Sequence, residues 1–286
     1  MKTYLDCIPC LLRHMLQAAR AATDNEKLQR QVIDAVAGII PQLPLTMRPP
    51  ELAQKAYRVA RRITGNGDPF REAKTKANEA MLALYPYLKE VLKGSEDPLL
   101  TACKLAIVGN SIDLAPNFKQ VSAEELIETA LTSPLAINDY QTLRNSLANS
   151  QSLLYIGDNS GEIVLDRLLI EEILKFKSLE INFVVRDSPV INDATMDDAI
   201  AVGLDKVVRV VSNGTDAPAT ILSQSPPEVL HLYHSADTII AKGQGNYESL
   251  EGEPGNLFFF LRAKCEIVGS LIGVNLGDAV LKQQKL

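Results

Sequence analysis

YIGDNSGE, residues 155–162, is the stretch that decides how the chain is read. The apolar run 153–156 stops at Gly157, a polar loop follows, and from Ile163 to Lys175 the apolar residues return at helical spacing. A strand that gives way to a helix through an oxygen-rich loop has two readings. Asp158 can cap the helix, or Asp158 and Asn159 can hold a ligand.

The same rhythm repeats downstream. INFVVRD (181–187), KVVRVVSNG (206–214) and DTIIAKG (237–243) are short runs rich in Val and Ile, each bounded by turn or polar residues. Helical patterns fall between them at Glu162 to Lys175, Thr195 to Val202 and about Pro218 to Leu222. NLFFFLRAKC (256–265) supplies another buried strand. Strands alternating with helices predict a parallel sheet covered on both faces. The first half lacks these runs. Leu11, Leu12, Met15 and Ala18 recur at helical spacing, as do Val32, Ile33, Val36, Ile39 and Ile40. A helix is predicted from an Asp68 cap and Pro69 to about Leu88, and another opens at Ser122. The expected class is α/β: a helical N-terminal domain, 1–150, packed on a three-layer α/β/α domain with a mainly parallel sheet, 151–286.

Composition narrows the function. The 286 residues are 46% hydrophobic, enough for a large core, and the formal net charge of −6 disfavours a nucleic-acid surface. No apolar run approaches bilayer length, and the N-terminus shows no secretory pattern, so a cytoplasmic protein without membrane or nucleic-acid partners is expected. Oligomeric state is not legible.

Ligands of open parallel sheets bind beyond the carboxyl ends of the strands. Four polar loops fall there: 157–162, 186–193, 212–216 and 242–248. Asp158 and Asp193 offer anionic oxygens and Asn159 a neutral one, a set suited to Mg²⁺ or Mn²⁺, with Co²⁺ or Ni²⁺ also possible. Two carboxylates brought together without a cation would repel. Lys242 and the backbone N–H groups around Gly243 and Gly245 suit phosphate oxygens, and Asn192 stands in the same cluster. A metal with phosphate donors is the equipment of phosphoryl transfer to water. Attack by water and attack by Asp158 both remain open, as does Arg186 with Asp187 as a surface pair or as part of the site.

GDNSGE, RDSPVINDAT, KGQGNYE and the Lys264-Cys265 pair together resemble the damage-control phosphatase family, the DUF89 or ARMT1-like domain, across nearly the whole chain. CIPC (7–10), TGNGDPFREAKTKAN and GNSIDL (109–114) resemble its CxxC-containing subgroup. The resemblance implies a metal-dependent hydrolase of small phosphorylated metabolites. It implies Asp158, Asn159 and Asp193 as metal ligands, and Lys242 to Asn246 as the phosphate-contacting loop. Lys74 and Asn78, four apart on one helix face, and Asn110 with Asp113 are candidates to reach the substrate from the helical half; ordinary capping is the other reading.

Rival functions stay in view. A Rossmann-like S-adenosylmethionine-dependent methyltransferase would place a glycine fingerprint after the first strand, but Asn159 stands where the second glycine belongs. A non-catalytic module binding metal or phosphometabolite is the other rival. Cys7, Cys10 and His14 share a helix face and could bind zinc with Cys103 or Cys265, or simply pack as thiols.

Overall fold

The computed structural model describes residues 1–109 and 123–285. Helices come first: α1 (Cys7–Ala22), α2 (Glu26–Ile39), α3 (Pro49–Thr64), α4 (Arg71–Lys93), α5 (Pro98–Gly109) and α6 (Ala123–Thr132). Strands and helices then alternate: β1 (Leu135–Asn138), α7 (Tyr140–Asn149), β2 (Ser152–Ile156), α8 (Glu162–Phe176), β3 (Glu180–Val185), α9 (Met196–Ala201), β4 (Arg209–Ser212), α10 (Pro227–Ser235), β5 (Thr238–Lys242), α11 (Gly243–Leu250), β6 (Leu257–Arg262), α12 (Glu266–Ile272) and β7 (Ala279–Gln283). The sheet order is β1-β7-β6-β5-β2-β3-β4, parallel throughout except where β6 meets β7. The α/β class and the mainly parallel sheet are as expected. No helix of the described residues is long and apolar enough to cross a membrane.

From β2 the chain steps outward through β3 to β4, then returns to pair β5 with the other edge of β2. That reversal is the switch point at which an open parallel sheet places its ligand crevice, at the carboxyl ends of β2 and β5. Alternation along the strands builds two cores. Leu153, Tyr155, Phe183, Ile240, Phe258 and Phe260 face one side, under α4, α5 and α8. Leu154, Ile156, Val184, Ile239, Ala241 and Phe259 face the other, with Val229, Tyr247 and Val268 from α10, α11 and α12. Gly157 follows β2 because a Cβ there would stand 2.5 Å from the Phe183 ring, which stacks on Tyr155.

Several details depart from expectation. β1 and β7 were not read from the sequence, and β1 joins the sheet although it precedes residue 150. Helices α4 to α7 share a core with the sheet, whereas α1 to α3 form a cluster of their own. The segment 218–222 holds no α-helix, only a 3-10 turn at Leu222–Gln224. Helix α4 begins at Arg71, not at an Asp68 cap; Asp68 turns its Oδ2 towards Lys74 Nζ, 3.8 Å away. Ser122 lies outside the described residues.

Helix α3 is clamped to the loop after β4 by one carboxylate. Asp216 accepts from Gln54 Nε2 at 2.8 Å and from Arg58 Nη2 and Nε at 2.6 and 2.9 Å, and it pairs with Arg61. Partial burial alone would raise this carboxyl, but these donors hold it down at about 2. Its contribution is therefore complete above the ordinary value of 3.8 and lost as pH falls towards 2. Asp216→Asn is expected to cost about 1–2 kcal/mol in urea unfolding at neutral pH, discounted for the exposure of Arg58. The difference from wild type should narrow at about pH 3; an unchanged midpoint at neutral pH would refute the clamp.

Candidate active site

The loop after β2 is built against the loop after β3 as a miniature ladder. Gly157 N–H donates to Val184 O at 3.0 Å, Ala194 N–H to Asp158 O at 2.8 Å, and Ser160 N–H to Asn192 O at 2.8 Å. Asn159 and Asp193 form an antiparallel bridge, and Arg186 bridges Thr195. Ile191 takes a positive φ of 45°, a strained conformation for a β-branched residue, just before Asp193. Backbone pairing thus brings Asp158, Asn159 and Asp193 together, residues that are 35 positions apart at most.

Arg186 lies between the two carboxylates and is 1% exposed. Its Nε donates to Asp193 Oδ2 at 2.6 Å, its Nη2 to Asp158 Oδ1 at 3.3 Å and its Nη1 to Gly157 O at 3.3 Å. The surface-pair reading with Asp187 falls away, because Asp187 accepts instead from Ser188 and Ser212. Among the described residues one guanidinium bonds both buried carboxylates, and Lys74 adds its field at Asp193. Burial pushes the Asp193 carboxyl up, Arg186 opposes that, and the neighbouring Asp158 adds to it.

Asn159 is held from behind. Its Nδ2 donates to Asp158 Oδ2 at 2.8 Å and to Glu162 Oε2 at 3.0 Å. Its Oδ1 makes no hydrogen bond among the described residues and is not sealed from solvent. An oriented amide oxygen beside two carboxylates bonded by one guanidinium fits a hard divalent cation.

The phosphate loop is placed differently from expectation. Lys242 is wholly buried, and its Nζ donates to Glu162 Oε1 at 2.5 Å, Asp166 Oδ1 at 2.6 Å and Ala106 O at 2.9 Å. Three acceptors exhaust an ammonium, so Lys242 has no donor left for a phosphate. Asn246 is also spent: it accepts from Thr220 N–H and donates to Gly157 O and Lys242 O, which ties loops together. Gly245 is pressed on Pro218, whose carbonyl would stand 2.4 Å from a Cβ. Gly243 does lie at the centre. A Cβ there would fall 1.9 Å from Asp158 Oδ2, and its φ is +77°. Asp158 therefore packs directly on the N-terminus of α11, where the helix dipole favours negative charge.

From the helical half, Lys74 and Asn78 do reach the seam. Lys74 Nζ is 3.0 Å from Asp198 Oδ2; Asn78 Nδ2 donates to Asp198 Oδ1 at 2.9 Å and its Oδ1 accepts from Gly161 N–H at 2.6 Å. Asn192 contributes its backbone carbonyl to Ser160. Asn110 and Asp113 lie outside the described residues. Cys103 is buried in the core, and Cys10 Sγ is 3.9 Å from His14 Nε2. Among the described residues no three His, Cys, Asp or Glu side chains are grouped to hold a metal, so no zinc set is assembled there. Sequence reasoning missed Glu162, Asp166 and Asp198. Its available signal was spacing: Glu162 and Asp166 stand four apart on α8.

A family model described as the damage-control phosphatase ARMT1-like domain matches residues 3–280. The chain is similar to a damage-control phosphatase of Archaeoglobus fulgidus, 37% identical over 283 residues that cover 96% of this chain and 97% of that one. It is similar to a damage-control phosphatase of Pyrococcus horikoshii, 32% identical over 287 residues that cover 100% and 99%. The fold is similar to the crystal structure of a DUF89 family protein from Pyrococcus horikoshii, with TM-score 0.93, 31% identity and complete coverage of both chains.

Removing the guanidinium would take from two buried carboxylates the cation that bonds them both. Arg186→Met, in chelator, is expected to lose about 3–5 kcal/mol in urea unfolding at neutral pH. The sign with pH follows from the raised Asp193 carboxyl: its stability is present below the unfolded value and lost as pH rises through the folded one. The loss should therefore be larger at about pH 8 than at about pH 5.5; a pH-independent loss would mean that the guanidinium does not set these carboxyls.

Proposed function

The chain belongs to the damage-control phosphatase ARMT1-like domain family, and from this premise we propose that it is a metal-dependent phosphomonoester hydrolase of small phosphorylated metabolites. The observation that carries the reading is the meeting of Asp158, Asn159 Oδ1 and Asp193 at the crevice between β2 and β5. Those three would hold the cation, Mg²⁺ or Mn²⁺ first and Co²⁺ or Ni²⁺ by the same oxygen chemistry. When bound, it would offset charge on the phosphoryl oxygens and make a nearby water more acidic.

The chain's own residues do the rest. Arg186 fixes the two carboxylates and keeps them from repelling one another. Gly243, having no side chain, lets the Asp158 carboxylate lie against the N-terminus of α11, whose first N–H groups would suit phosphate oxygens. The cationic role that Lys242 cannot fill falls in this reading to Lys264. That residue is exposed, and its N–H is anchored to Gln244 Oε1 in the first turn of α11 at 2.8 Å. Attack by water is favoured over attack by Asp158. Both oxygens of that carboxylate are engaged, with Asn159 and with Arg186, which holds it as a ligand rather than freeing it as a nucleophile. Lys74 and Asn78 would close the leaving-group side from α4. All four cysteines are free, which suits the reducing cytoplasm in which we place the reaction.

The decisive experiment is phosphate release across a panel of metabolite esters, with each of the four metals and with chelator. Release from at least one ester is expected, dependent on metal and abolished by chelator. Asp158→Ala should lower it by at least about 100-fold while the thermal midpoint stays close to wild type. Binding of esters without release would favour a non-catalytic binding module, and release undiminished in chelator would refute the metal.

A further inference from the structure

Lys242 touches nothing in the crevice, yet it is joined to the crevice by an unbroken line of hydrogen bonds. Its ammonium holds Glu162 Oε1 at 2.5 Å; the other oxygen of Glu162 accepts from Asn159 Nδ2 at 3.0 Å. Glu162 and Lys242 are both fully buried, and Asp166, Ala106 and Tyr155 complete the surroundings.

The chemistry of that line is directional. The two ends of a primary amide are nearly equal in size, so packing alone does not decide which faces outward. A carboxylate that takes an ammonium N–H on one oxygen offers its other oxygen as an acceptor, and the amide end that meets it must be the NH₂. Asp158 Oδ2 takes the second Nδ2 proton at 2.8 Å. With both protons spoken for, the oxygen is turned to the crevice. Only the oxygen end can serve a hard divalent cation; the NH₂ end would repel one.

We propose that Lys242 and Glu162 are positioning residues: Lys242 fixes Glu162, and Glu162 fixes the Asn159 amide with its oxygen presented for metal binding. This inference rests on the metal-dependent reading above. It explains why a lysine beside the glycine loop is buried. The cation works through Asn159, from behind the site, rather than on the substrate.

The test is Mn²⁺ binding to the intact chain by isothermal titration, with the thermal midpoint of each variant recorded beside it. Glu162→Gln keeps the shape. It must turn its oxygen to Lys242 and its NH₂ to Asn159, so the Asn159 amide is driven to flip. Mn²⁺ affinity is expected to fall by about 10-fold or more. The double variant N159D/E162Q reverses the polarity of the bond, with a carboxylate now accepting from the glutamine NH₂. It should bind Mn²⁺ at least about 10-fold more tightly than E162Q alone. With a merely structural Glu162, N159D would change Mn²⁺ affinity by the same factor in both backgrounds. N159D alone sets a carboxylate against Glu162 and is expected to bind no more tightly than wild type. If Asn159 were an unpositioned oxygen donor, the added charge would strengthen binding instead.

Affinity of E162Q within about threefold of wild type, or no recovery in the double variant, overturns the proposal. Should E162Q fail to fold, N159D decides: binding tighter than wild type overturns it, weaker or equal binding supports it. Wild-type protein that binds no Mn²⁺ refutes the metal reading itself, which separates the two failures.

Discussion

The Arg186 guanidinium, buried between Asp158 and Asp193, is the interaction on which the rest of the crevice depends. A buried cation without partners costs several kcal/mol, and so does a buried carboxylate. Neither can be placed here alone. Meeting them requires the end of β2, the end of β3 and the loop 187–195 to converge, and the parallel order with its reversal at β2 and β5 is what brings them to one place. The fold is in this sense a means of delivering two acids to one base.

That arithmetic recurs. Lys242 stands between Glu162 and Asp166, and Lys74 lies 3.0 Å from Asp198 and 3.8 Å from Asp68. Each of the three groups pairs one cation with two carboxylates. They differ in access. The Lys242 group is sealed, and burial pushes Asp166 up to about 7, so a shared proton can settle its balance. The Arg186 group borders the crevice and can be balanced by a cation from solution. One motif of charge therefore stands as a strut in the interior and, at the rim, as the group proposed to take a cation.

How much of this was legible follows from what a strand pattern can carry. Runs such as 152–157 and 237–243 are apolar without a break, as fully buried parallel strands must be, and their carboxyl ends locate the crevice without any further information. Asp158, Asn159 and Asp193 were found this way. Side-chain direction was harder. Lys242 was assigned to the crevice because it precedes glycines, yet alternation in β5 puts it on the Ile240 face, beneath α5 and α8. Followed to its last residue, the period of two would have placed it inside. Arg186 and Asp187 are adjacent and so point apart, which argues against the surface pair on the same grounds. The strands β1 and β7 escaped because they are four and five residues long and half-exposed over part of their length, with no apolar run to announce them.

The helical half belongs to the site for a steric reason. Gly161 has a φ of +78°, and a Cβ there would come within 3.1 Å of the Ala77 Cβ. Helix α4 is thus in van der Waals contact with the turn that starts α8. At that distance Asn78 can accept from the Gly161 N–H while donating to Asp198, so a single amide joins α4, α8 and the start of α9. The turn it braces carries Asp158 and Asn159. A shift of α4 by a fraction of an ångström would either break the short Asn78 bond or press Ala77 into the glycine. The packing of α4 and the geometry of the acids at the crevice are therefore one constraint, which is why a division of the chain at residue 150 describes its sequence rhythm better than it describes its mechanics.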